Sequence, residues 1–202
     1  MLSSFLLIVA GWPPQSEPLC DGARYLGLSF RGQRAYAYSM VPGTKPSIGS
    51  EETTYDRESG HYTVKRSGGL AAHGDEKFEV RGDGVYLVEI QDGELKRPML
   101  SIPSELPIKC FWNSSLSVGV LQLSISNVIL REESVQTKAG KFQTLLVCGD
   151  GTISVEGQSQ KIVFKTWYAK DIGAVKMRIR SESDAGMTTT QSTELIKLVP
   201  EK

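Results

Sequence analysis

The chain has 202 residues, 40% of them apolar and 23% charged, and its 23 basic and 23 acidic side chains leave a formal net charge of zero. That length predicts one domain with a sizeable core, and the apolar fraction is ordinary for a folded chain. The charge balance argues against a global electrostatic pull toward nucleic acid, and no stretch approaches the length of a membrane-spanning helix.

The N-terminus opens with the apolar run Phe5-Leu6-Leu7-Ile8-Val9-Ala10, followed by Gly11 and Pro13-Pro14. The run has the length of a signal-peptide core and is too short to span a bilayer, although a basic n-region is missing. The expected division is a signal peptide over 1–12, a proline-rich linker over 13–23 and a single β domain over 24–202. The competing reading makes the apolar run a strand or helix of the domain itself. Leu19-Cys20 has the look of a lipoprotein cleavage site, but Glu17-Pro18 occupies positions where small or apolar residues are wanted. Cys20, Cys110 and Cys148 are odd in number. In an exported protein Cys110 and Cys148 could form a disulfide; the alternative is two small buried hydrophobes on strands.

Along the rest of the chain a period of two dominates. Tyr36, Tyr38 and Met40 share one face; so do Val175, Met177 and Ile179, with Lys176, Arg178 and Arg180 opposite. Ile162, Phe164, Thr166 and Tyr168 share a face of another strand. Ser59-Gly60, Gly82-Asp83-Gly84, Asp92-Gly93, Gly149-Asp150-Gly151 and Glu156-Gly157 punctuate the alternation and read as hairpin tips. Leu116 to Leu130 is the most apolar long stretch, and its β-branched residues favour strands over a helix. The fold class read from this pattern is all-β: an antiparallel meander of about ten strands, curved into an incomplete half barrel, with few or no helices. Pro98, Pro103 and Pro107 mark a soft internal division near 98–107.

Two stretches carry a resemblance. Thr137-Lys138-Ala139-Gly140-Lys141-Phe142 reads as strand, turn and strand, and Trp167-Tyr168-Ala169-Lys170-Asp171-Ile172-Gly173-Ala174-Val175-Lys176 reads the same way. With Leu106-Pro107-Ile108-Lys109, Trp112 and Ser192-Thr193-Glu194-Leu195 in order, the C-terminal half resembles the DUF3108-type bacterial cell-envelope proteins, distantly similar to LolA/LolB-like lipoprotein carriers. Two departures stand out: Ala174 replaces a larger apolar residue, and Cys110-Phe111 stands where a glycine is common. The resemblance implies a curved antiparallel sheet, export to the periplasm or cell envelope, and a cavity for an apolar ligand such as a lipid or lipoprotein. It carries over no catalytic residue.

The residues themselves hold no nucleophile elbow, phosphate-binding glycine loop or metal-finger spacing. No catalytic residue, metal ligand or cofactor is expected, and the protein reads as non-enzymatic. Phe142, Phe164, Trp167 and Tyr168 are the candidate ligand-binding residues. Lys176, Arg178 and Arg180 form a cationic stripe, with Lys161 and Lys165 alongside if the strands pair. Such a stripe either docks a lipid headgroup or acidic partner, or is a solvated outer face. A module that recruits an envelope protein through an exposed strand edge is the alternative function. A hydrolase built around His61 or His73 is a weaker one. Trp167 is expected to pack near Phe142 or Val175 and to close the seam of the barrel.

Overall fold

The computed structural model describes residues 19–40, 45–91 and 93–201. The run read as a signal peptide, residues 13–18 of the linker and Asp92 lie outside them. The fold is almost all strand: β1 (Gly32–Ser39), β2 (Ser47–Tyr55), β3 (His61–Gly68), β4 (Glu76–Arg81), β5 (Gly84–Ile90), β6 (Gly93–Pro103), β7 (Phe111–Val118), β8 (Leu121–Thr137), β9 (Gly140–Val155), β10 (Gln158–Ala169), β11 (Gly173–Ser183) and β12 (Thr188–Pro200). A five-residue helix, α1 (Asp21–Tyr25), precedes them.

All 12 strands form one antiparallel sheet in the order β6-β5-β4-β3-β2-β1-β12-β11-β10-β9-β8-β7. Each hairpin pairs with the next, so the chain makes two six-stranded meanders, β1–β6 and β7–β12, joined where β1 pairs with β12. The all-β, antiparallel expectation is met. The incomplete barrel is met as well: the sheet, of twelve strands where about ten were expected, curls into a nearly closed barrel with an unsealed seam. Closure brings the two edges, β6 and β7, together although they are not joined by a backbone ladder. The proline-rich segment 98–107 is the end of β6 and the start of its connection to β7.

Side chains span this seam. The Trp112 indole Nε1–H donates to the Ser101 carbonyl at 3.1 Å, and the Ser114 hydroxyl donates to the Leu100 carbonyl at 2.6 Å. Asn127 on β8 steadies both, donating to the Trp112 carbonyl at 3.3 Å and to Ser114 Oγ at 3.2 Å. Trp112, Ser114 and Asn127 are all buried. The seam tryptophan is therefore Trp112. Trp167 does pack in one cluster with Phe142 and Val175, but it lies on β10, in the interior of the sheet and away from its edges.

One core fills the barrel from Tyr62, Phe78, Val85, Leu87, Ile102, Trp112, Ile129, Leu145 and Val147. A second gathers Tyr36, Tyr38, Leu70, Ala169, Val175 and Leu195. Helix α1 closes one end. Ala23 and Leu28 are fully buried, and the Gly22 N–H donates to the Ser104 carbonyl at 3.2 Å. Leu19, Cys20 and Ala23, read as the end of the linker, are thus packed against the barrel core. The Arg24 guanidinium clamps Asp171 in the β10–β11 turn, with Nε–H to Oδ1 at 2.6 Å, and Lys170 pairs with Asp21 at 2.7 Å.

Two local expectations are corrected. Gly149-Asp150-Gly151 is not a hairpin tip but the middle of β9. A Cβ on Gly149 would stand 2.3 Å from Phe164 Cζ, and one on Gly151 would stand 2.0 Å from the Ser124 carbonyl oxygen. These glycines admit a ring and a neighbouring backbone, a role that glycine in a strand also serves. The tip lies further on, at Glu156-Gly157, with φ of 52° and 81°. Cys110 and Cys148 do not bridge. All three cysteines are free. Cys110 packs against the inner core, whereas Cys148 stands in register with Val128 and the exposed Lys165 on the outer face.

Trp112→Phe keeps most of the ring but removes the donor to Ser101. The expected loss is about 1–2 kcal/mol for an orphaned carbonyl, against roughly 3–5 kcal/mol for Trp112→Ala. Urea unfolding of the two variants measures the difference; equal losses would remove the hydrogen bond's role at the seam. The Asp171 carboxyl is held below its usual range, first by its hydrogen bond from Arg24. A depressed folded-state value means that its stabilisation is complete above the unfolded value and is lost as pH falls through the folded one. Asp171→Asn should therefore cost stability at neutral pH and progressively less below pH ~4, read from melting temperatures across that range.

Candidate functional site

The alternation of each strand sorts the candidate residues onto two faces. Phe164 and Tyr168 share the inner face of β10 with Ile162 and with Thr166, which is buried. Phe142 and Trp167 face outward: Phe142 shares a face with Leu146, and Trp167 stands opposite Leu146 and Lys176. The Trp167 Nε1–H donates to Glu133 Oε1, and Lys176 Nζ lies 5.9 Å from the ring centroid. The four candidates thus split into an inner pair and an outer pair and do not form one site.

Inside the barrel, a row of charges crosses three strands in register: Arg34 on β1, Glu51 on β2 and Arg66 on β3. Arg34 is 1% exposed. Its Nη1 donates to the carbonyls of Ile172 at 2.9 Å and Gly27 at 3.2 Å, and its Nη2 donates to Thr53 Oγ1 at 2.8 Å. It therefore ties β1 to the β10–β11 turn and to the segment after α1. Glu51 lies 3.7 Å from Arg34 and 3.0 Å from Arg66, and Arg66 also meets Glu76 at 2.8 Å. Burial disfavours the Arg66 charge, but Glu76 and Glu51 outweigh it and raise its pKa. Burial, then the Glu51 charge, pushes the Tyr36 phenol up. Tyr168 is pushed up to about 12, first by burial and then by the charges of Glu76 and Glu51. Tyr168 packs against the inner core.

Beyond that polar floor the strands are unequal. β8 and β9 run for 17 and 16 residues, whereas β3, β4 and β5 run for 8, 6 and 7. At the end opposite α1, β8 and β9 therefore run past β3, β4 and β5. The inner face of β8–β11 carries Ile125, Ile153, Ile162, Phe164, Met177 and Ile179, with Gln160 and Ser181 among them. All six apolar side chains are half-buried and none belongs to either core cluster. Phe164 and Ile179 stand directly opposite one another, and the Phe164 ring lies over Gly149. The sequence pattern identified the faces of β10 and β11. It did not show the extension of β8 and β9 past their neighbours, because the Gly149-Asp150-Gly151 triplet reads as a turn.

Two clefts lie elsewhere. One, of about 540 Å³, is an open groove lined by Arg31, Gln33, Glu52, Tyr55, Arg57 and Pro200 among others. The second, of about 210 Å³, is lined by Leu116, Gln122, Leu123 and Ser154 and their neighbours. Neither gathers a catalytic constellation. Neither imidazole hydrogen-bonds a carboxylate or hydroxyl among the described residues; His73 instead stacks edge-on against Tyr38 at 5.1 Å, and burial, with Arg66 next, lowers its pKa. No group of three or more His, Cys, Asp or Glu among the described residues is arranged to hold a metal. No described helix is long and apolar enough to cross a membrane.

No family model and no curated protein matches the chain. Among solved structures, a candidate lipoprotein from Parabacteroides distasonis is similar over 85% of this chain and 96% of its own, with a TM-score of 0.53 and 11% identity. A candidate exported protein with a YmcC-like fold from Bacteroides fragilis aligns over 84% and 98%, with a TM-score of 0.48 and 12% identity. At such identities the first likeness shows the fold alone. The resemblance to DUF3108-type and LolA/LolB-like proteins is not confirmed by these comparisons; what is shown is the curved antiparallel barrel.

Removing the charge of Glu51 should leave Arg34 without its carboxylate neighbour inside the barrel. Glu51→Gln is expected to cost about 3–5 kcal/mol, the range for breaking a buried pair from one side. A urea midpoint equal to that of the parent would show that the row is not structural.

Proposed function

We propose that the protein is a non-enzymatic cell-envelope protein that holds an apolar chain, such as the acyl chain of a lipid or lipoprotein, against the inner wall of β8–β11. One observation carries this reading: six large apolar side chains face inward on β8–β11, yet are only half-buried and lie outside both cores. Apolar surface left uncovered in a concave setting is the common signature of a ligand site. The Arg34–Glu51–Arg66–Glu76 row would set the floor, because an apolar chain cannot displace ion pairs that are already satisfied. The likeness to candidate lipoprotein and exported structures agrees with an envelope location.

The strand-edge alternative is less well supported. The free edges of the sheet meet at the seam, and two β6 carbonyls there already accept hydrogen bonds from Trp112 and Ser114. Pro98 and Pro103 further remove donors from β6.

The test uses protein from its native source and a fluorescent long-chain fatty-acid analogue. Native mass spectrometry should find a co-purifying lipid, and the delipidated protein should bind the analogue. Phe164→Asn with Ile179→Asn should weaken binding by roughly tenfold or more, given about 1.5 kcal/mol or more of apolar burial per side chain. Lipid-free native protein that also ignores the analogue would end this reading.

A further inference from the structure

The outer faces of the same strands suggest a second surface. Lys161 and Lys165 on β10 and Lys176, Arg178 and Arg180 on β11 all point away from the barrel, and the register sets them side by side: Lys165 opposite Arg178, Val163 opposite Arg180, Trp167 opposite Lys176. Four acids share this surface: Glu133, which accepts from Trp167 Nε1 and feels the charge of Lys165, and Glu182, Glu194 and Asp150. Glu182 stands opposite Lys161; Glu194 stands opposite Lys176 and accepts the Lys138 N–H at 3.2 Å; Asp150 stands opposite Val163. The central three cations, Lys165, Arg178 and Arg180, form no ion pair with a described carboxylate. Their cross-strand neighbours on the outer strands are Cys148, Ser192 and Thr190.

Lys165 and Arg178 directly opposite each other form a like-charge pair, which destabilises a sheet. The chain as a whole is neutral, so this concentration is local. Apolar side chains are exposed on the same face: Val163 at 53%, and Phe111 at 73% in the row that runs through Val128 and Cys148 to Lys165. Trp167 adds an aromatic ring beneath Lys176. We propose that this face docks on the surface of an anionic lipid bilayer. The cations would meet the headgroups, and Val163 and Phe111 would enter the interfacial region. The interspersed apolar residues favour a lipid surface over a soluble polyanion. The charges at the centre of the face are incompatible with a lipid-facing band of a spanning barrel. This inference does not rest on the ligand reading, since it uses the opposite side of the sheet.

The experiment is flotation of the full chain with vesicles of phosphatidylcholine alone or mixed with phosphatidylglycerol. The protein should float with the anionic vesicles, stay behind with the neutral ones, and be released at high salt. Each cation near such a surface contributes about a fivefold factor in partitioning, so Lys165→Gln, Arg178→Gln and Arg180→Gln together should lower it about a hundredfold. The melting temperature of that variant should equal or exceed the parent's, because a repulsion has been removed. Val163→Asn should weaken flotation without altering its salt release. Equal flotation with neutral vesicles, none with anionic ones, or an unaffected triple variant would each overturn the proposal. Retention on a polyanion resin without vesicle binding would also overturn it, assigning the face to a soluble acidic partner.

Discussion

An antiparallel meander has two edges, and a curled one must decide what happens where they meet. Here β6 and β7 meet without a backbone ladder, and Trp112 and Ser114 supply the missing hydrogen bonds from their side chains. An indole and a hydroxyl reach carbonyls that an adjacent strand would otherwise take. They do so while buried, which makes the bonds worth more than the same contacts in water. Everything inside the barrel depends on this closure, because Leu145, Val147 and Ile129 are covered only if the wall bearing β5 and β6 comes round to face them.

Closure also determines where polar groups can sit. A sheet that rolls up puts half of its side chains into one enclosed space, and Arg34, Glu51 and Arg66 fall on that inner half by register. They are tolerated because each reaches a partner: carbonyls and Thr53 for Arg34, two carboxylates for Arg66. The same guanidinium, whose Nη1 donates to the Ile172 and Gly27 carbonyls, fixes the β10–β11 turn relative to the α1 segment. One end of the barrel is thereby locked by hydrogen bonds. The other end, where β8 and β9 outrun their neighbours, carries half-buried Ile125, Ile153, Ile162 and Ile179 on its inner face.

Much of this was legible in the chain. Period-two alternation identified the inner and outer faces of β10 and β11, and Ser59-Gly60, Gly82-Asp83 and Glu156-Gly157 do lie in turns. The errors share a cause: a local signal has more than one physical use. Gly149 and Gly151 look like turn residues, yet they are small because Phe164 and the Ser124 backbone come too close for a Cβ. Trp167 looks like a closing aromatic, yet closure is a property of which strands are edges, and no local pattern encodes that. The charge row was not legible at all. Arg34, Glu51 and Arg66 are separated by hairpins, and only the register shows that they stand side by side.

The alternation that makes β10 and β11 easy to read also gives these two strands both of the surfaces proposed for function. Phe164 and Ile179 point inward, while Lys165, Arg178 and Arg180, their sequence neighbours, point out. A backbone shift in either strand would move both faces at once, so an occupant of the inner wall and a contact on the outer wall are mechanically joined through a single layer of sheet. The close fit of the Phe164 ring on Gly149 is where such a shift would register, because the ring occupies the space a Cβ there would take. Coupling between the two surfaces, if the protein has it, needs no relay of side chains. It follows from the fact that the inner wall and the docking face are the same peptide backbone.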